Sequence, residues 1–324
     1  MRVIVTIDSD LLVPQNPSQG IAGQRREINC VVRAIGGLLL APHEIVITHG
    51  NAQQVGFVLL RAELASHIVH SLPLDVCGAD TQGATGYLLQ QAIRNWLSEN
   101  HVEKEVASLI TQVVVDPIQP AASQAERGIG PYFDQEKSQT YRNTRGWNFV
   151  LIPGRGYRRA VPLLVPKEIP EINLIRRLIG PGTIVVCAGG GGIPVVRDPD
   201  GQLVGVEAVV NKADTTGLLA RELEADGIIF VSVWDRLKNL LTVDASQALT
   251  ALSLQDLDSI LDQVSKSDAD TYQKFLAAKH FLESGGKWVH FCPPECVRAN
   301  LEFSQGILLQ KDIIDIKGLK SVIW

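Results

Sequence analysis

The chain has 324 residues, 45% of them hydrophobic and 20% charged, with a formal net charge of −5. That length supplies a sizeable buried core as one large domain or two lobes, and the mild acidity argues against a broad nucleic-acid face. Neither a bilayer-crossing apolar run nor a signal-peptide pattern is legible, so the expectation is a cytoplasmic protein with no membrane and no nucleic-acid partner.

In chain order, the first strand is expected at 2–7. In "VIVTIDSDLL" (3–12) its β-branched run breaks off into Asp8-Ser9-Asp10. Strands of open α/β sheets deliver ligand-binding groups at their carboxyl ends. Two carboxylates there fit a nucleophile pair, a metal site, or the remnant of a phosphate-holding turn. The next strand, 44–48, runs into "ITHGNAQQVG" (47–56), where a helix follows His49-Gly50-Asn51 and its N-terminal amides can face a ligand. In "TGYLLQQAIRNWLSEN" Leu88, Leu89, Ala92, Ile93, Trp96 and Leu97 recur at helical spacing. A strand is expected at 108–115. Residues 117–165 are rich in Pro, Gly and Arg and read as an excursion from the sheet, a small flap with a hairpin at 148–163.

A strand at 183–188 leads into "VVCAGGGGIPVV" (185–196). Four successive glycines, Gly189, Gly190, Gly191 and Gly192, expose backbone N–H groups to an anion or carbonyl. Another strand follows them, not a helix, which argues against a dinucleotide fingerprint. "IPVVRDPDGQLVGVEAVV" is a hairpin turning at Asp198-Pro199-Asp200-Gly201. Lys212 then stands between a strand and the helix "TTGLLARELEADG", which Gly227 is expected to stop. A lysine in that place can neutralise a transferring phosphoryl group. Strands are expected at 227–232, 287–291 and 306–309. Lys274 is read in the first turn of the helix "TYQKFLAAKHFLESGGK", where it opposes the macrodipole. Alternation of strands and helices predicts an α/β fold with a mostly parallel sheet and helices on both faces.

Five scattered cysteines (30, 77, 187, 292, 296) read as buried free thiols. Cys292 and Cys296, with only His290 nearby, do not make a zinc site.

Taken together these motifs resemble the carbamate kinases of the amino acid kinase family. "ITHGNAQQVG", "LPLDVCGADTQGATGYLLQQ", "GIGPYF", "GRGYRRAVP", "CAGGGGIPVV" and "GVEAVVNKAD" follow in family order nearly end to end. The resemblance implies a three-layer αβα sandwich with a central mostly parallel sheet and a flap protruding at about 117–165. It also implies an N-terminal carbamate lobe at 1–220 and a C-terminal nucleotide lobe at 221–324. The implied activity is reversible phosphoryl transfer between ATP or ADP and carbamate or carbamoyl phosphate, with Mg2+, in a homodimer. It assigns phosphate neutralisation to Lys212 and Lys274, with Arg127 reaching in from the flap. Substrate binding falls to His49, Gly50, Asn51 and the four glycines.

Departures from the family pattern cluster at the chemistry. The family's Gly-Gly-Asn phosphate loop is replaced by Asp8, Ser9 and Asp10. Its Asp-Lys-Asp becomes Asn211-Lys212-Ala213, with Asp214 one residue on. Its Gly-Ser-Met-x-Pro-Lys becomes Ala269-Asp270-Thr271-Tyr272-Gln273-Lys274, and its flap lysine is Arg127. The segment "SVWDRLKNLLTVDAS" lacks the usual Asn-Phe-Gly-type stretch, and the tail 311–324 is read as a packing or docking strand. Carboxylates facing polyphosphate repel it, and loss of one oxyanion donor alone costs on the order of 10²–10³ in rate. Three functions therefore stand side by side. One is a divergent kinase. Another is an inactive homologue that binds a ligand or a partner enzyme as its regulator. The third is a Mg2+-dependent acyl phosphate hydrolase using Asp8 and Asp10, with those two as the only metal-ligand candidates.

Overall fold

The computed structural model describes residues 1–14, 16–118, 126–233, 249–264, 269–303 and 305–311. Two stretches singled out in the sequence, most of "SVWDRLKNLLTVDAS" and the tail beyond 311, lie outside the described residues.

Alternation within the strands dictates the layers. In β1 (Arg2–Ile7), Ile4 packs into one hydrophobic cluster while Val3, Val5 and Ile7 pack into another. The same split recurs in β2 (Glu44–His49), where Val46 opposes Ile45 and Ile47. It holds again in β8 (Thr183–Val186), where Val185 opposes Ile184 and Val186. Successive side chains of a strand face opposite ways, so a sheet apolar on both faces needs a helical layer on each. The first layer contains α6 (Ile172–Leu178), α7 (Lys212–Glu222), α8 (Leu254–Val264) and α9 (Ala269–Glu283). The second contains α1 (Gly20–Ala34), α2 (Gly36–Leu40) and α4 (Leu74–Glu99). This is the three-layer α/β sandwich expected.

The main sheet also includes β3 (Glu105–Ser108), β12 (Gly227–Val231), β13 (Leu249–Ser253), β14 (Trp288–Cys292) and β15 (Gly306–Gln310). Its order is β13-β15-β14-β12-β1-β2-β8-β3. Neighbours are parallel except β14 and β15, so β13 and β15 run against the rest. The neighbouring strands β12, β1 and β2 therefore deliver their carboxyl ends side by side.

Smaller sheets stand on this frame. β4 (Gln112–Val114) and β10 (Leu203–Gly205) flank β9 (Ile193–Arg197), and residues 198–201 form the expected turn. In the flap, β5 (Glu126–Phe133) and β6 (Asn148–Ile152) both pair antiparallel with β7 (Gly156–Leu164). α5 (Gln135–Arg145) lies between β5 and β6, capped by the Asp134 side chain. The end of β7 pairs with β11 (Val209–Val210), which ties the flap to the stretch just before Lys212.

Four expectations need correction. The strand at 108–115 is two strands in two sheets. The buried amide of Thr111 turns aside to Gln82 Oε1 at 2.8 Å, so β3 stays beside β8 while β4 joins β9. Gly227 does not stop α7, which ends at Glu222. It opens β12, where a Cβ would stand 2.2 Å from the Trp288 ring. Lys274 lies beyond the first turn of its helix, which already runs from Ala269. Of the cysteines, Cys30 is exposed on α1 while the other four are buried, all as free thiols.

Candidate active site

The carboxyl ends of β1, β2 and β12 meet three chain turns. Beyond β1, Ser9–Leu11 form one turn of 3-10 helix. Asp8 before it is extended (φ −69, ψ 145), and its N–H donates to Val231 O at 3.0 Å. Beyond β2, Gly50 donates to Ile7 O, and α3 (Ala52–Ala65) begins directly after Asn51. A Cβ on Gly50 would lie 2.7 Å from Ser9 N, so glycine is required for these two turns to touch.

The glycine run has a steric explanation of its own. Gly190 sits at φ +69, and a Cβ there would meet Asn51 Oδ1 at 2.2 Å. A Cβ on Gly189 would meet the His49 ring at 2.5 Å. The run is thus where two strand-end side chains press onto bare backbone. Polar side chains then hold it. Gln82 Nε2 donates to Gly189 O, Thr215 Oγ1 donates to Gly191 O, and Ala188 N donates to Thr111 Oγ1. Asn51 Nδ2 donates to Thr81 Oγ1 at 2.7 Å, so its side chain braces α4 and does not cap α3. His49 is buried, with Nδ1 3.2 Å from Gly50 O, and burial draws its imidazole down to about 4. It is neutral near pH 7 and brings no charge to the site.

Two lysines converge on Asp8. Asn211 caps α7 by accepting from Ala213 N, which sets Lys212 as the first helical residue. Lys212 Nζ donates to Ile7 O at 3.0 Å and to Asp8 Oδ1 at 2.9 Å. Lys274, on α9, donates to Asp8 Oδ2 at 2.6 Å and lies 3.3 Å from Asp270 Oδ2. Arg127 of the flap stands 3.8 Å from Asp270 Oδ1. Although burial alone raises the Asp8 carboxyl, the two lysines overcome it and hold the group well below the usual carboxylate range. Burial pulls the Lys212 ammonium down, and Asp8 opposes that shift.

A cavity of about 150 Å³ opens over these groups, lined among others by Asp8, Ser9, Asp10, Gly50, Asn51 and Gly190. Arg127, Lys212 and Asp270 also reach it. So does Arg158, whose Nε donates to Gly130 O. Sites for drug-sized ligands occupy roughly 300–1,000 Å³, so this one suits a small anion. Of the residues singled out in the sequence, His49, Gly189, Gly191, Gly192 and Lys274 stand behind its wall. Gln82, Thr81, Thr111, Thr215 and Arg158 are not singled out by the sequence as site residues, although Thr81, Gln82 and Arg158 lie in the family-like stretches, and Asp270 is marked there only as a departure from the family pattern.

Metal ligation does not fit this donor set. Each oxygen of Asp8 accepts from an ammonium group, and two cations held against the carboxylate oppose both the approach of Mg2+ and nucleophilic attack. Among the described residues no three His, Cys, Asp or Glu side chains cluster as a metal site. A Mg2+ carried by nucleotide phosphates needs few protein ligands, and the Asp8 carboxylate as placed is already shared between two ammonium groups. No helix of the described chain is long and apolar enough to cross a membrane.

Comparison with known proteins bears on the family and the fold. The amino acid kinase family model matches residues 1–292. The carbamate kinase-like protein YahI of Escherichia coli (strain K12) is 37% identical over 308 residues, covering 94% of this chain and 97% of that protein. A carbamate kinase of Pyrococcus horikoshii is 32% identical over 288 residues, covering 88% of this chain and 91% of that one. Among solved structures, Giardia lamblia carbamate kinase bound to AMP-PNP superposes with a TM-score of 0.83 at 25% identity, covering 96% of this chain and 98% of that one. A protein of Aeropyrum pernix K1 superposes with a TM-score of 0.86 at 26% identity, covering 96% of this chain and all of the other.

Proposed function

The chain belongs to the amino acid kinase family, and from that membership we propose that it is a phosphotransferase of the carbamate kinase type. In this reading it moves a phosphoryl group reversibly between ATP or ADP and a carbamate-type acceptor. The observation that carries it is the convergence of Lys212 and Lys274, from two helices, on Asp8, with Lys212 and Asp8 lining a cavity sized for a small anion. Fixed cations aimed at a transferring phosphoryl group stabilise the charge that builds up there.

The division of labour follows from placement. Lys212 and Arg127 face the cavity and meet phosphoryl oxygens, and Arg158 adds a third cation at the flap side. Asn51, braced by Thr81, and the backbone of Gly190 hold the acceptor. A bound nucleotide supplies the phosphoryl group and carries any Mg2+. Two copies of the chain pair through exposed apolar side chains of α3 and α4, among them Phe57, Leu64 and Tyr87.

The test is a coupled assay of ATP formation from ADP and carbamoyl phosphate. Wild-type chain turns over, and Lys212→Ala loses at least about 10²-fold. Absent turnover, or turnover indifferent to Lys212→Ala, sinks the kinase reading. A second reading, a ligand-binding homologue without turnover, draws on one observation: Asp8 already occupies both lysines. Carbamoyl phosphate binding without ATP formation is its signature.

A further inference from the structure

The two lysines are not equally available. Lys274 has a side-chain exposure of 3% against 13% for Lys212. Its ammonium has three protons, and Asp8 Oδ2 at 2.6 Å, Asp270 Oδ2 at 3.3 Å and Ser232 Oγ at 3.5 Å stand around it. Asp8 and Asp270 line the cavity where Lys274 does not. Two carboxylates therefore separate Lys274 from any ligand. Lys212 faces the cavity with two protons used, on Ile7 O and Asp8 Oδ1.

Asp8 bridges the pair with one oxygen on each lysine, the arrangement two oxygens of one phosphoryl group would adopt. Its backbone is fixed by the bond to Val231 O and lies in an ordinary extended conformation. Releasing the carboxylate from the lysines by side-chain rotation alone would leave these main-chain features in place.

We propose that Asp8 is an internal counter-anion holding the place of a phosphoryl group, so that a phosphate-type anion engages both Lys212 and Lys274 only by displacing the Asp8 carboxylate. The inference rests on reading this cavity as a phosphoryl site, but it concerns binding and not turnover. An anion that enters gains only the difference between its own attraction to the lysines and that of Asp8. The affinity of the resting site for phosphate groups is held down accordingly. Anions that keep two charges near neutral pH compete best, because they replace one carboxylate charge with more than one.

Calorimetric titration of the full chain with inorganic phosphate tests this. Asp8→Asn is expected to bind phosphate at least about tenfold more tightly than wild type. Asp10→Asn makes the same charge change on the same cavity without touching the bridge, and is expected to gain less than about threefold. Lys274→Met with Asp8 intact is expected to change affinity by less than about threefold, and to abolish the gain when combined with Asp8→Asn. No gain in Asp8→Asn, an equal gain in Asp10→Asn, or a tenfold loss in Lys274→Met alone overturns the proposal.

Asp8→Asn leaves two buried ammonium groups without their carboxylate, so its folding is followed by thermal melting at rising phosphate. Its midpoint is expected to start below wild type and to climb more steeply with phosphate. A variant that phosphate fails to stabilise overturns the proposal too. Phosphate gain without turnover sinks the kinase reading and leaves the role of Asp8 standing. Turnover without phosphate gain does the reverse.

Discussion

Two residues of the site region are linked to pH in opposite directions. Burial lowers His49 to about 4, below its ordinary value of 6.5, so the unfolded chain takes up that proton first as pH falls. Its contribution is complete above 6.5 and is lost as pH drops from there toward 4. Asp214, in the first turn of α7, is pushed up to about 6 by burial, with no cation to offset it. Its contribution is complete below the unfolded value of 3.8 and is lost as pH rises through 6. Above pH 6 the fold therefore holds an ionised, partly buried carboxylate at a cost. Asp214→Asn removes that cost. Denaturant melts are expected to show a gain of about 1–2 kcal/mol at pH 8, discounted for partial solvent access, and no gain at pH 3.5. An equal gain at both values would mean that ionisation is not the cause.

At the scale of elements, the start of α7 decides where Lys212 points. Asn211 caps the helix through Ala213 N, and Thr215 Oγ1 ties its next turn to Gly191 O. Asn211→Ala is expected to cost about 1 kcal/mol in urea melts and to lower turnover, while Asn211→Asp keeps the cap and most of both. If Asn211→Ala melts like wild type, the cap does not set the helix start. Much of this was legible beforehand. The β-branched runs and helical spacings placed the main strands and α4, because period-2 and period-3.6 burial leave direct marks in sequence. The split of 108–115 was not legible, since it depends on Gln82, from another element, reaching the Thr111 amide. Nor was the reason for the glycine run. The neighbours that demand it, His49 and Asn51, lie more than a hundred residues away. At the site, the sequence marked Asp8 as a carboxylate at the tip of the first strand, and β1 does end just before it. That both its oxygens would meet lysines from α7 and α9 follows only from the sheet order that sets β1 beside β2 and β12.

At the scale of the whole molecule, an apolar surface over α1, α3 and α4 stands exposed among the described residues. Phe57, Leu64 and Ile68 follow one another at spacings of seven and four along and just beyond α3, and Leu64 and Ile68 are 66% and 78% exposed. Ile21, Phe57 and Ala84 share a single groove, which joins α1, α3 and α4. Exposed Tyr87 lies one turn further along α4, and the Ile110 side chain lies 3.9 Å from where a Gly83 Cβ would stand. Scattered exposed apolar residues need no explanation, but a run of them over adjoining helices marks an interaction surface. The cavity opens beside the other side of α3, lined by Ala52 and Val55. Pairing two copies through this face would therefore leave both sites open while bracing the helix that carries Asn51. A stable pair buries about 1,200–2,000 Å² in total, and a charge at the centre of such a face must lose its water to fit. Light scattering on size-separated protein is expected to give twice the chain mass for wild type and a single chain mass for Leu64→Lys. Turnover per chain in that variant should fall in step with the loosening of α3. A wild-type chain that stays single at micromolar concentration, or a Leu64→Lys chain that still pairs, would show that this face serves another purpose.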